Sequence, residues 1–137
     1  MQFCESAISS STNSTHTSFQ HGALLVRGNI ILESGYNNHN QHAEIDVITK
    51  YIFRVLQGRE KKASKLKKLH RELSRSDLIV VRLKMNNSKP CKNCLEFIKK
   101  CGIRRIYYSD NQTLKMERSY KMETNHVCSR SKWINNI

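Results

Sequence analysis

Two short segments of the sequence contain residue types that can bind a metal ion. They are His42-Ala43-Glu44 and Pro90-Cys91-Lys92-Asn93-Cys94. Catalytic zinc sites use three protein ligands in a tetrahedral arrangement and leave the fourth position for water. Cys91 and Cys94 lie one helical turn apart, so two thiolates at the start of a helix could share one ion with His42. We therefore predict that His42, Cys91 and Cys94 bind one zinc ion.

Glu44 follows the predicted histidine ligand by two residues, close enough to reach a metal-bound water without binding the metal. A carboxylate there can accept a proton from the water and pass it to a leaving group, which implies hydrolytic attack on an electrophilic carbon. The competing interpretation is a structural zinc site closed by four protein ligands, which has no use for a carboxylate at this offset. Its fourth ligand would come from Cys4, His39, Cys101, His126 or Cys128.

The hydrophobic pattern predicts the helix that would carry the first segment. Apolar side chains recur with helical spacing from Ile45 to Leu56, directly after His42. The helix is expected to end near Gly58, because glycine commonly follows the last turn of a helix.

The second segment is predicted to lie within a β-α-β unit. The unit consists of a strand at residues 77–85, a helix at 92–101 and a strand at 103–109. Because a helical crossover returns the chain to its original direction, the two strands should be parallel. Tyr107 and Tyr108, near the end of the second strand, should face opposite sides of the sheet, so one of them could border a substrate pocket, pack in the core or lie exposed at the surface.

Three further elements are predicted from local composition. Apolar runs at residues 23–26 and 30–32 flank a glycine-containing turn and predict a β-hairpin. A short helix is expected before residue 17, and a surface helix at 59–76. Beyond Asp110 the pattern weakens, and no element is predicted there.

These motifs and their order resemble the cytidine deaminase-like superfamily, and more narrowly its deoxycytidylate and tRNA-adenosine deaminase branch. The H-x-E and P-C-x-x-C segments match the signature of zinc-dependent deaminases. The resemblance extends from about His21 to Ser109 and includes His21-Gly22-Ala23-Leu24-Leu25-Val26 and Gly35-Tyr36-Asn37. It implies a three-layer α-β-α fold with a mixed central sheet, one zinc ion per chain, and hydrolytic removal of an exocyclic amine from a base.

The resemblance also implies how the substrate would bind. By analogy with the family, Asn37 would contact the sugar, and the backbone amide of Ala43 and the backbone carbonyl of Lys89 would hold the base. It makes self-association into a homo-oligomer an expectation. It implies nothing about residues 59–76, which make the connection between Glu44 and Cys91 longer than in compact family members.

The charge of the chain is strongly positive and unevenly distributed. The 137 residues include 24 Lys or Arg and 11 Asp or Glu, for a net charge of +13. Segment 59–76, from Arg59 to Ser76, carries eight basic and two acidic residues, and residues 99–137 carry nine and three. These segments could follow the phosphate backbone of single-stranded DNA or RNA, or could only steer an anionic nucleotide, since few aromatic residues accompany them.

The chain is predicted to form one domain over residues 1–137, with a basic helical insertion at about 59–76 and a basic C-terminal tail from about 111. No apolar run approaches the ~20 residues that span a bilayer, and the N-terminus does not resemble a signal peptide. We therefore expect a soluble cytoplasmic or nuclear protein without a membrane partner. Its five cysteines are not expected to form a disulfide framework.

The function predicted from the sequence is zinc-dependent hydrolytic deamination of a cytosine-type base, in a nucleotide such as deoxycytidylate. One alternative keeps the chemistry and acts on a base in tRNA or single-stranded DNA. Another is a basic nucleic-acid-binding module with a structural zinc. Cytosine and adenine are not distinguished, because both present an exocyclic amine beside a ring nitrogen.

Overall fold

A five-stranded mixed sheet forms the centre of the structure, a computed structural model that describes residues 4–12, 20–38, 41–57 and 62–124. The strands are β1 His21–Arg27, β2 Ile30–Tyr36, β3 Asp77–Arg82, β4 Arg105–Asp110 and β5 Thr113–Arg118. The helices are α1 Cys4–Ser11, α2 Ala43–Leu56, α3 Lys62–Ser74 and α4 Lys92–Cys101. None of the helices in the described part of the chain combines the length and apolar character needed to cross a membrane.

The strand order is β2-β1-β3-β4-β5, and only the β3–β4 pair is parallel. Strand alternation sends Leu25 to the face covered by α2, α3 and α4, and Leu24 to the face covered by α1. Both side chains are buried, as expected for a sheet with helices on both faces. The predicted three-layer α-β-α fold with a mixed sheet is therefore confirmed, as are the hairpin and the parallel pair.

Two glycines allow helices to approach the sheet closely. A Cβ atom at Gly22 would overlap the carbonyl oxygen of Ala7 in α1 and would lie 2.5 Å from the Ser11 nitrogen. A Cβ atom at Gly35 would lie 2.8 Å from the Val47 nitrogen in α2. Both contacts involve backbone atoms, which cannot move aside as a flexible side chain can.

The predicted strand at 77–85 is shorter in the structure. It ends at Arg82 and continues into a 3-10 turn, Leu83–Met85, in which Lys84 and Met85 have φ angles of 69° and 57°. Positive φ angles are uncommon in residues other than glycine, and no glycine marks this turn. The sequence therefore gave no sign that the strand ends at Arg82. The following strand begins at Arg105 instead of residue 103.

Strand β5 was not predicted from the sequence. It pairs with β4 through a two-residue turn at Asn111 and Gln112, which have φ angles of 49° and 70°. Such hairpin turns usually contain glycine, and this one does not. Strand β5 is at the edge of the sheet and buries little apolar surface, since Met116 is 47% exposed. The sequence of β5 therefore lacks the hydrophobic pattern of a buried strand. Part of the segment predicted as a basic tail is thus a strand of the sheet, and residues 125–137 lie outside the described part of the chain.

The predicted basic helix at 59–76 is present as α3 over Lys62–Ser74, and residues 59–61 lie outside the described residues. The predicted helix at 45–56 is present as α2. Helix α3 contacts the core through Leu69 and Leu73, which are buried. Gly58, where α2 was expected to end, lies outside the described residues, and the last helical residue is Leu56.

Asp77, at the start of β3, binds two arginines through both carboxylate oxygens. Its distances to Arg105 nitrogens are 2.9 and 3.1 Å, and those to Arg104 nitrogens are 3.1 and 3.2 Å. Burial alone would raise the pKa of Asp77, but the hydrogen bonds from Arg105 and Arg104 outweigh it and hold the pKa below its ordinary value.

The contribution of Asp77 to stability should therefore depend on pH. Since its pKa is lower in the folded state, the contribution is complete above the unfolded-state pKa and is lost as pH falls through the folded-state value. We expect Asp77→Asn to lower the free energy of unfolding by about 1–2 kcal/mol at pH 7, and by less in acid. Urea unfolding of both proteins at neutral and acid pH measures this difference. A loss that is equal at both pH values would contradict the assignment.

Candidate metal centre

The N-termini of α2 and α4 meet at one end of the sheet. His42 is the N-cap residue of α2 and Cys91 that of α4, and neither side chain caps its own helix. Their carbonyl groups instead accept the first helical hydrogen bonds, from Asp46 and Leu95, each at 2.9 Å. Both side chains can therefore extend toward the space between the two helices, where the positive ends of the helix dipoles favour thiolate over thiol.

The structure brings together the three side chains predicted to bind zinc. The donor atoms of His42, Cys91 and Cys94 all lie within 4.8 Å of one another. The Nδ1 atom of His42 is 3.0 Å from Sγ of Cys94 and 3.8 Å from Sγ of Cys91. One imidazole nitrogen and two thiol sulfurs are a donor set that suits zinc, so the residues present fit this ion.

The two cysteines differ in acidity. A hydrogen bond from Cys94 is the largest of the influences that lower the pKa of Cys91 to about 4, and His42 adds to it against the effect of burial. The same hydrogen bond and burial raise the pKa of Cys94. One thiolate is therefore available at neutral pH, and metal binding to Cys94 would release a proton.

Glu44 lies beside this group of donors. It is buried, with 5% of its surface exposed, and its carboxyl group contacts the Cys94 thiol. Burial raises the pKa of Glu44, although the neighbouring His42 opposes this effect. A buried carboxyl group with a raised pKa can exchange protons nearer to neutral pH than a surface carboxylate can.

The residues expected to bind substrate adjoin the same end of the sheet. Asn37 is buried and its Oδ1 accepts a hydrogen bond of 2.9 Å from the His21 amide. Ala43 is the first residue of α2, and an α-helix does not use the N–H of that residue internally. Lys89 precedes Cys91 by two residues, and its ammonium group lies 3.8 Å from Glu117.

Tyr107 and Tyr108 lie on opposite faces of the sheet, as predicted. The Tyr108 hydroxyl group donates a hydrogen bond of 2.8 Å to Glu117, and the Lys89 ammonium group lies 6.0 Å from the Tyr108 ring centroid. Burial and the Glu117 contact raise the pKa of Tyr108 to about 12. Tyr108 therefore stays neutral at physiological pH beside the loop that carries Cys91.

The structure also bears on the fourth ligand that a structural zinc site would need. Cys101 is at the opposite end of α4 from Cys91, about 15 Å away along the helix axis, and does not belong to the donor group. Burial raises its pKa to about 11, as for a cysteine that packs as a small apolar residue. The Cys4 side chain, His39, His126 and Cys128 lie outside what the structure describes.

Two buried serines, Ser88 and Ser109, form hydrogen bonds that fix the loop before Cys91. They were not predicted from the sequence. Ser88 Oγ donates to the Val80 carbonyl at 2.8 Å and accepts from the Ser109 amide at 2.7 Å. Ser109 Oγ contacts the Asn86 carbonyl at 2.7 Å and accepts from the Arg82 amide at 3.1 Å. The two hydroxyl groups thus join the ends of β3 and β4 to the loop that leads to the cysteine pair. Serines at these positions follow no motif spacing, so the sequence offered no signal for them.

We predict that Ser109→Ala weakens zinc binding roughly tenfold, because the loop that positions Cys91 loses the contacts of the Ser109 hydroxyl group with Asn86 and Ser88. A competition titration against a chromophoric zinc chelator measures the change. Ser119→Ala is a matched control, because it also removes a buried hydroxyl group, one that donates to the Ile103 carbonyl at the other end of the sheet. Equal zinc affinities of the two variants would contradict this positioning role.

Comparison with known proteins agrees with this geometry. The family model of the cytidine and deoxycytidylate deaminase zinc-binding region matches residues 1–110. A search of curated protein sequences found no match. The zinc-binding region of the family model and the His/Cys/Cys cluster together identify zinc as the cofactor.

Solved structures of deaminases share the fold. The cytidine deaminase of Burkholderia pseudomallei has 14% identity and a TM-score of 0.65, over 92% of this chain and 97% of that chain. The dCMP deaminase of cyanophage S-TIM5 has 18% identity and a TM-score of 0.55, over 80% of each chain. A Thermotoga maritima diaminohydroxyphosphoribosylaminopyrimidine deaminase/5-amino-6-(5-phosphoribosylamino)uracil reductase has 19% identity and a TM-score of 0.50, over 78% of this chain and 28% of that chain. Since the family model spans most of the sequence, the chain belongs to the family defined by the cytidine and deoxycytidylate deaminase zinc-binding region.

Proposed function

We propose that this protein hydrolytically deaminates a cytosine-type base, in a nucleotide such as deoxycytidylate, releasing ammonia and leaving a carbonyl group on the ring. The observation that carries the proposal is the buried carboxyl group of Glu44 beside the donor atoms of His42, Cys91 and Cys94. A zinc site that only stabilised the fold would gain nothing from this carboxyl group, and burying it has an energetic cost.

In this proposal His42, Cys91 and Cys94 would hold the zinc ion. When bound, zinc supplies a Lewis acid that makes water a nucleophile at neutral pH. Glu44 would take up a proton at a carboxylate oxygen and donate it to the amine that leaves as ammonia. Its raised pKa suits both steps, because a group that must accept and return a proton works best with a pKa near the working pH.

Three groups would position the substrate. The hydrogen bond from the His21 amide fixes the Asn37 side chain, which we propose orients the sugar. The N–H of Ala43 would donate to the base, and the carbonyl of Lys89 would accept from its exocyclic amine. Ala43 directly follows the zinc ligand His42, and Lys89 lies two residues before Cys91, so substrate and metal would be held near the same two helix N-termini.

A second candidate is deamination of a base within tRNA or single-stranded DNA. The observation that favours it is the exposed basic surface of α3, which includes Lys67, Lys68 and Arg71. The third candidate, a nucleic-acid-binding module with a structural zinc, shares this surface but leaves the buried Glu44 without a role. Self-association and a cytoplasmic or nuclear location stay predictions.

A substrate screen tests the proposal. Zinc-loaded protein is incubated separately with cytidine, deoxycytidylate, adenosine, adenylate and cytosine- or adenine-containing oligonucleotides, and ammonia release is measured. We expect release from deoxycytidylate. Release from oligonucleotides alone would favour the second candidate, and release from adenine compounds alone would show that the base is misassigned.

A further inference from the structure

The fold brings together two basic regions that are far apart in the sequence, at the end of the sheet opposite the metal centre. Strand β3 begins at Asp77 and leads toward Cys91, so α3, which precedes β3, lies at the opposite end. Arg27, the last residue of β1, forms an ion pair with Glu72 of α3 and confirms this location. The six residues of β3 separate the two ends by about 20 Å.

Hydrogen bonds connect the end of α3 to the start of β4 and the end of β5. The Arg104 amide donates to the Ser76 carbonyl at 2.9 Å, and the Ser119 amide donates to the Arg104 carbonyl at 3.2 Å. Lys99, Arg104, Arg118 and Tyr120 are among the residues that line a groove of about 330 Å³ at this junction. The two basic regions therefore adjoin at this junction, and the groove lies on the side formed by the ends of α4, β4 and β5.

We call this surface the basic pole. It is defined by seven exposed side chains that form no ion pair within the described residues: Lys67, Lys68, Arg71, Arg75, Lys100, Arg118 and Lys121. Of the acidic residues nearby, Asp77 is neutralised by Arg104 and Arg105, and Glu72 by Arg27. Two further carboxylates, Glu96 and Glu123, are exposed and form no ion pair within the described residues, so the seven cations outnumber them. The positive charge of the pole is thus mostly uncompensated.

The pole also presents an aromatic ring to solvent. Tyr120 lines the groove and is 68% exposed, and the Lys121 ammonium group lies 5.8 Å from its ring centroid. Proteins that bind single strands combine cations that follow the phosphate backbone with aromatic rings on which bases stack. An exposed tyrosine between unpaired cations has both properties.

We propose that the basic pole binds the phosphate backbone of single-stranded nucleic acid, with a base stacked on Tyr120. This inference goes beyond the proposed deaminase function and does not require it. Because the pole and the zinc ligands are on opposite ends of the sheet, the phosphate contacts at the pole do not involve the residues that would hold zinc or the substrate. Binding and catalysis are therefore separable by mutation.

Fluorescence anisotropy with a labelled oligothymidylate tests the proposal, because thymine has no exocyclic amine and cannot report on deamination. Arg75→Gln/Arg118→Gln should weaken binding roughly tenfold at low salt and reduce the slope of log K against log salt by about 1.4. The matched control is Lys84→Gln/Lys115→Gln, which removes the same charge from exposed residues at the other end of the sheet. It should bind like the wild-type protein.

Three outcomes would overturn the proposal. The first is that the wild-type protein does not bind oligothymidylate at low salt, and the second is that binding is weakened equally in both double variants. The third is that Arg75→Gln/Arg118→Gln loses binding to phosphatidylserine vesicles while its binding to oligothymidylate is unchanged. Deamination of free deoxycytidylate is measured in parallel and should be the same in all three proteins. If the wild-type protein did not deaminate deoxycytidylate, the proposed function would be contradicted. The oligothymidylate measurement would still test the basic pole.

Discussion

Replacing Glu44 with glutamine is expected to reduce the rate of ammonia release by about 10²–10⁴-fold, the usual contribution of a positioned acid–base group. Glutamine has nearly the same shape but cannot take up and return a proton. Zinc content should stay at one ion per chain, because the donor atoms come from His42, Cys91 and Cys94. Ammonia release and zinc content are measured on the same preparation.

Glu96→Gln is the control for this experiment, since Glu96 is an exposed carboxylate on α4, five residues after Cys91. It should keep both activity and zinc. If Glu44→Gln retained normal activity, the catalytic role of Glu44 would be excluded. If it lost zinc as well as activity, Glu44 would instead support the site structurally, through its contact with Cys94.

Gly22→Ala is expected to have the largest effect on stability. The new methyl group would overlap the Ala7 carbonyl oxygen and lie 2.5 Å from the Ser11 nitrogen, so α1 would have to move off the sheet. We expect a loss of about 3 kcal/mol, at the upper end for overpacking, since the obstacle is helix backbone. In a domain of this size the melting temperature should fall by roughly 10 °C, which thermal unfolding followed by circular dichroism measures.

Gly28→Asn is the matched control, because a Cβ atom at Gly28 meets nothing within 4 Å. Its φ angle of 61° is one that asparagine tolerates better than other side chains. The melting temperature of this variant should fall much less. Equal effects at the two glycines would mean that α1 does not pack against Gly22 as the structure shows.

The metal centre could be predicted from the sequence because its chemistry is local in the chain. Cys91 and Cys94 are one helical turn apart, and Glu44 is two residues from His42, so short motifs specify most of the site. The family resemblance then placed both motifs in one fold, and the zinc cofactor and the three-layer architecture are confirmed. The individual roles of Glu44, Asn37, Ala43 and Lys89 stay predictions.

The features that could not be predicted depend on contacts between distant residues or on unusual backbone angles. Ser88 and Ser109 are 21 positions apart, and only the pairing of β3 with β4 brings their hydroxyl groups to 2.8 Å. Strand β5 follows a turn in which Asn111 and Gln112 adopt angles usually reserved for glycine. The basic pole was seen as two separate charged segments, because charge along a sequence does not show which residues share a surface.

The strand order has a consequence for the route by which the chain folds and acquires its metal. His42 follows the β1–β2 hairpin, whereas both cysteines lie between β3 and β4. Within the sheet, the two halves join where β1 pairs with β3, which places Val26 opposite Asp77, 51 positions later in the chain. Pairing over such a distance closes a long loop and is slow compared with hairpin formation. We therefore expect the three-ligand site to form late in folding, and the rate of zinc uptake by a refolding chain to report on the β1–β3 pairing step.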